Sequence, residues 1–188
     1  MPVGDVTRSY LIPIGDLSLD DRKSLRSNSD EVLKSAALRL AIRDRLDDLI
    51  IRDTLPLTDL GLAATDDWLV AGAGVASTEL QYTSFAVPID RCIVFFGLGV
   101  ETAPPGISRV RLTLGAASSQ VRGEFQIEQL YSRLESAGYF SESILFTRQE
   151  TTRIMVMPRI AFAANSQRLH FFARTIEPIG TTVSAPSV

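Results

Sequence analysis

A single histidine, His170, and a single cysteine, Cys92, set a narrow limit on the chemistry open to this chain. Any triad, imidazole base or proton shuttle must use His170, because there is no second imidazole. It lies in Arg168-Leu169-His170-Phe171-Phe172-Ala173-Arg174, where strand alternation puts it on the face of Arg168 and Arg174. Two neighbouring cations would lower its pKa, so the segment reads as a strand carrying a surface or interface histidine, with a pH-sensitive subunit contact as the sharper version. Cys92 stands beside Arg91, but the run Ile93-Val94-Phe95-Phe96 behind it is core-like and offers no helix N-terminus to stabilise a thiolate. A buried, inert thiol is expected. One cysteine excludes an internal disulfide, and together with one histidine it leaves no Cys/His zinc set.

The remaining motifs are weaker. Gly97-Leu98-Gly99 follows an apolar run, as in a dinucleotide-binding loop, but the third glycine position holds Thr102, and Ala103-Pro104-Pro105-Gly106 forbids the helix that would receive a pyrophosphate. Gly72-Ala73-Gly74 has Ser77 in the third position. Both pairs read as turn or bulge glycines. Asp53, Asp59, Asp66 and Asp67 flank Pro56 without the alternating spacing of a Ca²⁺ loop, so they read as solvated loop acids. Glu124, Glu128 and Glu135 form no paired-carboxylate arrangement. No catalytic, metal or cofactor residues are assigned, and the expectation is a protein that is not an enzyme and carries no cofactor. The phenylalanines from Phe95 to Phe172 read as core. Trp68, next to Asp66-Asp67, is the candidate exposed anchor, the alternative being that it packs on its own sheet.

Several elements would position these residues. Residues 1–29 read as an extended N-terminal arm in which Tyr10, Leu11 and Ile12, just before Pro13, could add as an edge strand and serve with Trp68 as interface residues. Residues 30–76 read as a helix and a long connection. The helix is expected over 30–53, capped by Asn28 with Glu31 in the reciprocal position, and it carries an apolar stripe of Leu38, Ile42, Leu46 and Leu49. Arg43, Asp44, Asp47 and Asp48 mark its wet side. Residues 77–180 read as the β-sandwich, with strands at Glu79–Val87, Arg91–Leu98, Ile107–Leu114, Ser143–Thr147, Thr151–Met157, Arg159–Ala164 and Arg168–Ile176. Cys92 to Phe96 is apolar on both faces and should be central, whereas Val110, Leu112 and Leu114 alternate with Arg109, Arg111 and Thr113 as in a half-buried strand. Asn165-Ser166 suggests a hairpin. One inserted helix is expected from Ile127, Leu130, Tyr131 and Leu134, stopped by Gly138, and residues 181–188 form a flexible tail. The fold class is α+β: an antiparallel β-sandwich or jelly-roll-like barrel with an N-terminal arm and helix.

Composition narrows the function. The chain has 188 residues, 45% of them hydrophobic and 22% charged, and a net charge of -3, which excludes disordered, collagen-like and coiled-coil classes. An acidic balance with dispersed cations argues against nucleic acid as an obligate partner. No apolar stretch is long enough for a membrane span, and the N-terminus lacks the layout of a signal peptide. The cations are 17 Arg and only Lys23 and Lys34, a bias that suits interface ion pairs but equally follows from a GC-rich genome.

In the arm Arg8–Ser29, the strand-rich stretch Glu79–Ile176 and the terminal Ile176-Glu177-Pro178-Ile179-Gly180 segment, the layout resembles the small β-sandwich and jelly-roll structural proteins of virions, such as capsid, cement or accessory proteins of bacterial viruses. The resemblance implies a homo-oligomer built with other shell subunits, with arms crossing between neighbours, found in the virion or in the host cytoplasm where it assembles. It carries over no functional residue. The alternative expectation is a binding module that holds a sugar, lipid or peptide in a pocket lined by phenylalanines and by Arg109 and Arg111.

Overall fold

The computed structural model describes residues 10–40, 42, 46–62, 68–101, 106–115, 120–133 and 136–181. The arm through Ser9, Arg43, Asp44, Asp66, Asp67, the Thr102–Pro105 segment, Leu134, Glu135 and the tail beyond Thr181 lie outside them.

Two antiparallel sheets face each other. The first has five strands in the order β1 (Leu11–Pro13), β7 (Ala137–Phe146), β4 (Cys92–Val100), β9 (Leu169–Pro178) and β2 (Leu49–Asp53). The second has four, in the order β3 (Leu80–Ala86), β8 (Thr151–Pro158), β5 (Ile107–Leu114) and β6 (Gln120–Gln126). The architecture is therefore a two-sheet sandwich with a helical layer, not a closed barrel. Alternation decides which side chains meet between the sheets. Val110 and Leu112 of β5, Ile154 and Val156 of β8, and Phe95 of β4 are fully buried and belong to one core. The rings interlock across the gap: Phe125 of β6 stacks on Phe140 of β7 with centroids 3.9 Å apart, and Phe95 meets Phe146 and Phe171 edge-on at 5.7 and 5.5 Å.

Every residue of β4 is buried, as the double-sided apolar run predicts, because the sandwich core covers one face and helix α1 (Leu19–Arg39) covers the other. Under α1 lies a second, smaller core in which Leu33, Ala36 and Ala37 pack against Cys92, Val94 and Ile176. The helix differs from the expected 30–53. Ser18 caps it, accepting from the Asp21 backbone N–H while the Asp21 carboxylate accepts from the Ser18 N–H. That reciprocal box fixes the start, and Asn28 lies inside the helix. Residues 19–29 are therefore helical, and among the described residues of the arm only Leu11–Pro13 form a strand, which pairs with β7. Leu49-Ile50-Ile51, expected at the helix end, instead form β2 against β9, where β-branched side chains favour the pleat. The expected inserted helix is only a 3-10 turn at Glu128–Leu130, and Gly138 belongs to β7, not to a helix stop. Arg159–Ala164 is not a strand; Phe162 makes a lone bridge to Gly74, where a Cβ would fall 2.4 Å from the Phe162 ring. Close approach thus accounts for this glycine.

The end of the sandwich between β2 and β3 is closed by charge. The short helix α2 (Pro56–Leu60) carries Asp59, which is 3% exposed. Arg52 of β2 donates to Asp59 through both terminal nitrogens at 2.6 and 2.9 Å, and to Glu177 of β9 at 2.8 and 3.0 Å. Arg91 lies 2.9 Å from Asp59 and 3.1 Å from Glu177. The Leu55 N–H also donates to Asp59, at 2.7 Å, and the Thr54 and Thr175 hydroxyls share a hydrogen bond beside it. Two cations and two anions thus cancel in a nearly dry site. Burial alone would lower the pKa of Arg52, but its hydrogen bonds to Asp59 and Glu177 outweigh that and hold it above the ordinary value.

Cys92 is buried with no disulfide, as expected, and desolvation pushes its thiol up to about 11. The raised value means that native stability is full below the usual thiol pKa and falls as pH climbs through about 11. Cys92 should therefore stay unreactive toward an aromatic disulfide reagent at neutral pH until urea unfolds the chain; stoichiometric labelling of the native protein within minutes would contradict this burial.

Candidate functional site

Two features outside the core present chemistry. The first is a cleft of about 330 Å³ between the first turn of α1 and the ends of β4, β7 and β9. Gly99, Phe172, Arg22, Glu101, Ser136 and His170 are among the residues that line it. Arg22 is placed by its own helix turn and donates to the Ile14 carbonyl at 2.7 Å. Glu101, just past β4, pairs with Arg168 at 3.6 Å. His170 lies on the outward face of β9 beside Phe172, with ring centroids 5.5 Å apart. Phe172 in turn packs with Phe96 and Tyr139 at 6.3 and 5.7 Å.

Trp68 sits behind His170, with ring centroids 4.8 Å apart, and also meets Phe171. It is 8% exposed, so the indole packs on its own sheet, the second of the two readings open to it, and is not an exposed anchor. Its backbone φ is +69°, a left-handed conformation that a bulky residue seldom adopts. The Leu169 N–H, donating to the Trp68 carbonyl at 3.0 Å, and the bridge between Leu69 and Arg168 hold it there. The lone tryptophan and the lone histidine, far apart in sequence, thus meet ring to ring, with their planes tilted by 32°.

The second feature is the outer face of the four-stranded sheet. Helix α1 covers the five-stranded sheet, whereas no described helix lies across this one. Arg109 and Arg111 of β5 point outward by the alternation that buries Val110 and Leu112. Register sets Met157 beside Arg109 and Met155 beside Arg111 on one side, with Gln126 and Glu124 on the other. Arg109 pairs with Glu124 at 3.2 Å and with Glu79 at 3.4 Å, and Arg111 also pairs with Glu79. The arginines are 27% exposed and Glu79 28%. The face is a ladder of both signs around two methionines. Arg109 and Arg111 do not converge with the core phenylalanines, so the pocket combining them does not form.

The other expected site residues divide. Leu11 is buried in the sandwich core at 4% exposure, since β1 alternates inward on the edge of β7, whereas Tyr10 is 64% exposed and Ile12 is half-buried. Asp59, read as a solvated loop acid, is buried between two arginines because α2 folds it back under β9. No local spacing joins residues 52, 59, 91 and 177; the available signal is charge at inward positions of apolar strands, as with Glu177 after Ile176. The Gly97-Leu98-Gly99 run lies within β4, paired on both sides. Among the described residues no three His, Cys, Asp or Glu side chains are grouped to hold a metal ion, and no helix is long and apolar enough to cross a membrane. Compared with protein-family models, curated proteins and solved structures, the chain matches none of them.

Proposed function

We propose that this chain is a structural protein that acts through subunit contacts, as a capsid, cement or accessory protein of a bacterial virus. The observation that carries the reading is the face of the four-stranded sheet that no described helix covers, where Arg109, Arg111, Glu79 and Glu124 mix both signs around Met155 and Met157. A surface bearing both signs and two adaptable thioethers suits contact with another shell subunit or with a second copy of itself. Four strands of about seven residues present roughly 450 Å² in plan. A stable interface takes about 800 Å² from each partner, so further surface is needed, and the exposed Tyr10 beside the β1 edge offers some of it.

Light scattering across a concentration series tests the reading: a defined oligomer or growth into particles is the expected result. Arg111→Glu should weaken that association about ten-fold or more by setting like charges together. In the monomer the new carboxylate also faces Glu79 and Glu124, so a melting scan of the variant is needed to separate lost association from lost stability. A monomer at every concentration, together with no retention on assembled shells, would remove the reading.

A further inference from the structure

We infer that the outer face of the four-stranded sheet takes one end of a second copy of this chain, the end where β2 begins and β9 stops, with Arg153 of one copy against Asp48 of the next. The inference rests on the assembly reading and names its partner. It starts from an orphaned cation. Ile154 and Val156 are fully buried, so alternation turns Arg153, Met155 and Met157 of β8 outward, onto the face that carries Arg109 and Arg111. Register sets Arg153 between Ser84 of β3 and Thr113 of β5, neither of which is charged. Arg109 and Arg111 share Glu79, and Arg109 also has Glu124. Arg153 has no ion pair among the described residues, and its Nε is buried with no hydrogen-bond partner. A buried donor left unpaired costs free energy, which a carboxylate from outside recovers as a charge-assisted hydrogen bond.

The rest of the face decides which carboxylate fits. Among its described residues three arginines stand against two glutamates, so the face has an excess of positive charge and repels a copy of itself. The chain as a whole is at -3, so the complementary charge lies elsewhere on it. One end of the five-stranded sheet has that charge together with apolar surface. The Ile179 N–H, just past β9, donates at 3.0 Å to the carbonyl of Asp48, just before β2. Asp90 precedes Arg91, which lies 3.1 Å from Glu177 near the end of β9, so the turn into β4 is at the same end. Ile89 in that turn and Ile179 are both largely exposed, and Asp48 is exposed with no ion pair among the described residues. Two exposed isoleucines beside an unpaired acid match two thioethers beside an unpaired cation, because methionine side chains adapt to the shape pressed on them. The sheet face alone falls short of the usual area of a stable interface, so a single contact is weak and depends on concentration and salt.

A charge swap, read by light scattering on the full chain across a concentration series, tests the contact. Arg153→Glu and Asp48→Arg should each weaken self-association about ten-fold or more by setting like charges together. The double variant restores an opposite pair with the signs reversed, and should return to within about three-fold of the parent. Arg153→Gln removes the charge without reversing it and should lose a smaller part of the association. Neither parent side chain has an ion pair to lose within the monomer, so each single variant should melt within a few degrees of the parent. If the parent associates and either reversal associates as strongly, or the double variant stays as weak as the singles, this contact is wrong and the assembly reading stands. A parent that is monomeric at every concentration yet held on assembled shells would overturn the second copy as partner, again leaving that reading in place. Only a monomer that such shells also fail to retain removes both.

Discussion

Asp59→Ala should destabilise the protein by about 3–5 kcal/mol, the largest effect expected of any single charged residue here. The carboxylate meets Arg52, Arg91 and the Leu55 N–H in a site where the two arginine side chains are 9% and 11% exposed. Its removal leaves two buried cations facing one anion, Glu177. Water cannot easily repair the imbalance, because the core and α2 close the site. For a domain of this size, each kcal/mol moves the melting midpoint by about 2–4 °C, so a drop of roughly 10 °C is expected in a thermal scan, with a matching loss in urea. The pairing can be separated from simple loss of packing. Adding Arg52→Met to Asp59→Leu leaves Arg91 and Glu177 as a balanced pair, and should restore a good part of the loss, because it is the unpaired charge that costs most. An Asp59→Ala protein within 1 kcal/mol of the parent would mean that the network is solvated and closes nothing.

The sandwich strands were legible because their signal is local. β5 matched residue for residue, since Val110 and Leu112 alternate with Arg109 and Arg111, and β4 read as central because both its faces are apolar. β6 and the first half of β7 were missed. Gly123 must admit Ile144 and Phe125, with a Cβ there falling 2.4 Å from Ile144, so its lack of a side chain serves the inter-sheet contact while weakening the strand pattern. The helix was misplaced for a physical reason. α1 buries only Ser29, Leu33, Ala36 and Ala37, a narrow stripe of mostly small residues that lets the helix lie close on the sheet, so its apolar periodicity is faint. The stronger stripe through Leu38 and Leu49 favours a helix further downstream, although Ser18 and Asp21 carry the spacing of a capping box. The cleft was less legible still. Arg22, Gly99, Ser136 and His170 come from four separate elements, and only the packing of α1 over β4, β7 and β9 brings them together.

That placement of α1 changes what a deletion should do. Had residues 1–29 been an extended arm, removing residues 1–28 would leave the β core folded. In the structure it removes β1, with Leu11 buried in the core, together with the Ser18–Asp21 cap and the first ten residues of α1. Losing the burial of Leu11 costs about 1.5–3 kcal/mol and losing the cap about 1 kcal/mol more. The remnant from Ser29 to Arg39 is shorter than the roughly 12–15 residues at which an isolated helix becomes marginal, so it should fray off the sheet. Phe172 shares the cleft with Arg22 of the lost half, and Cys92 packs in one cluster with Leu33, Ala36 and Ala37 of the frayed one. The truncated chain should therefore melt at least about 10 °C lower and expose Cys92 to a thiol reagent that does not reach it in the full chain. A control lacking only residues 1–9 keeps all of these contacts, so the difference between the two truncations isolates what β1, the cap and the first half of α1 contribute. A chain lacking residues 1–28 that melts with the parent and keeps Cys92 shielded would show that α1 is held by its second half alone, and would return residues 1–28 to the role of a detachable arm.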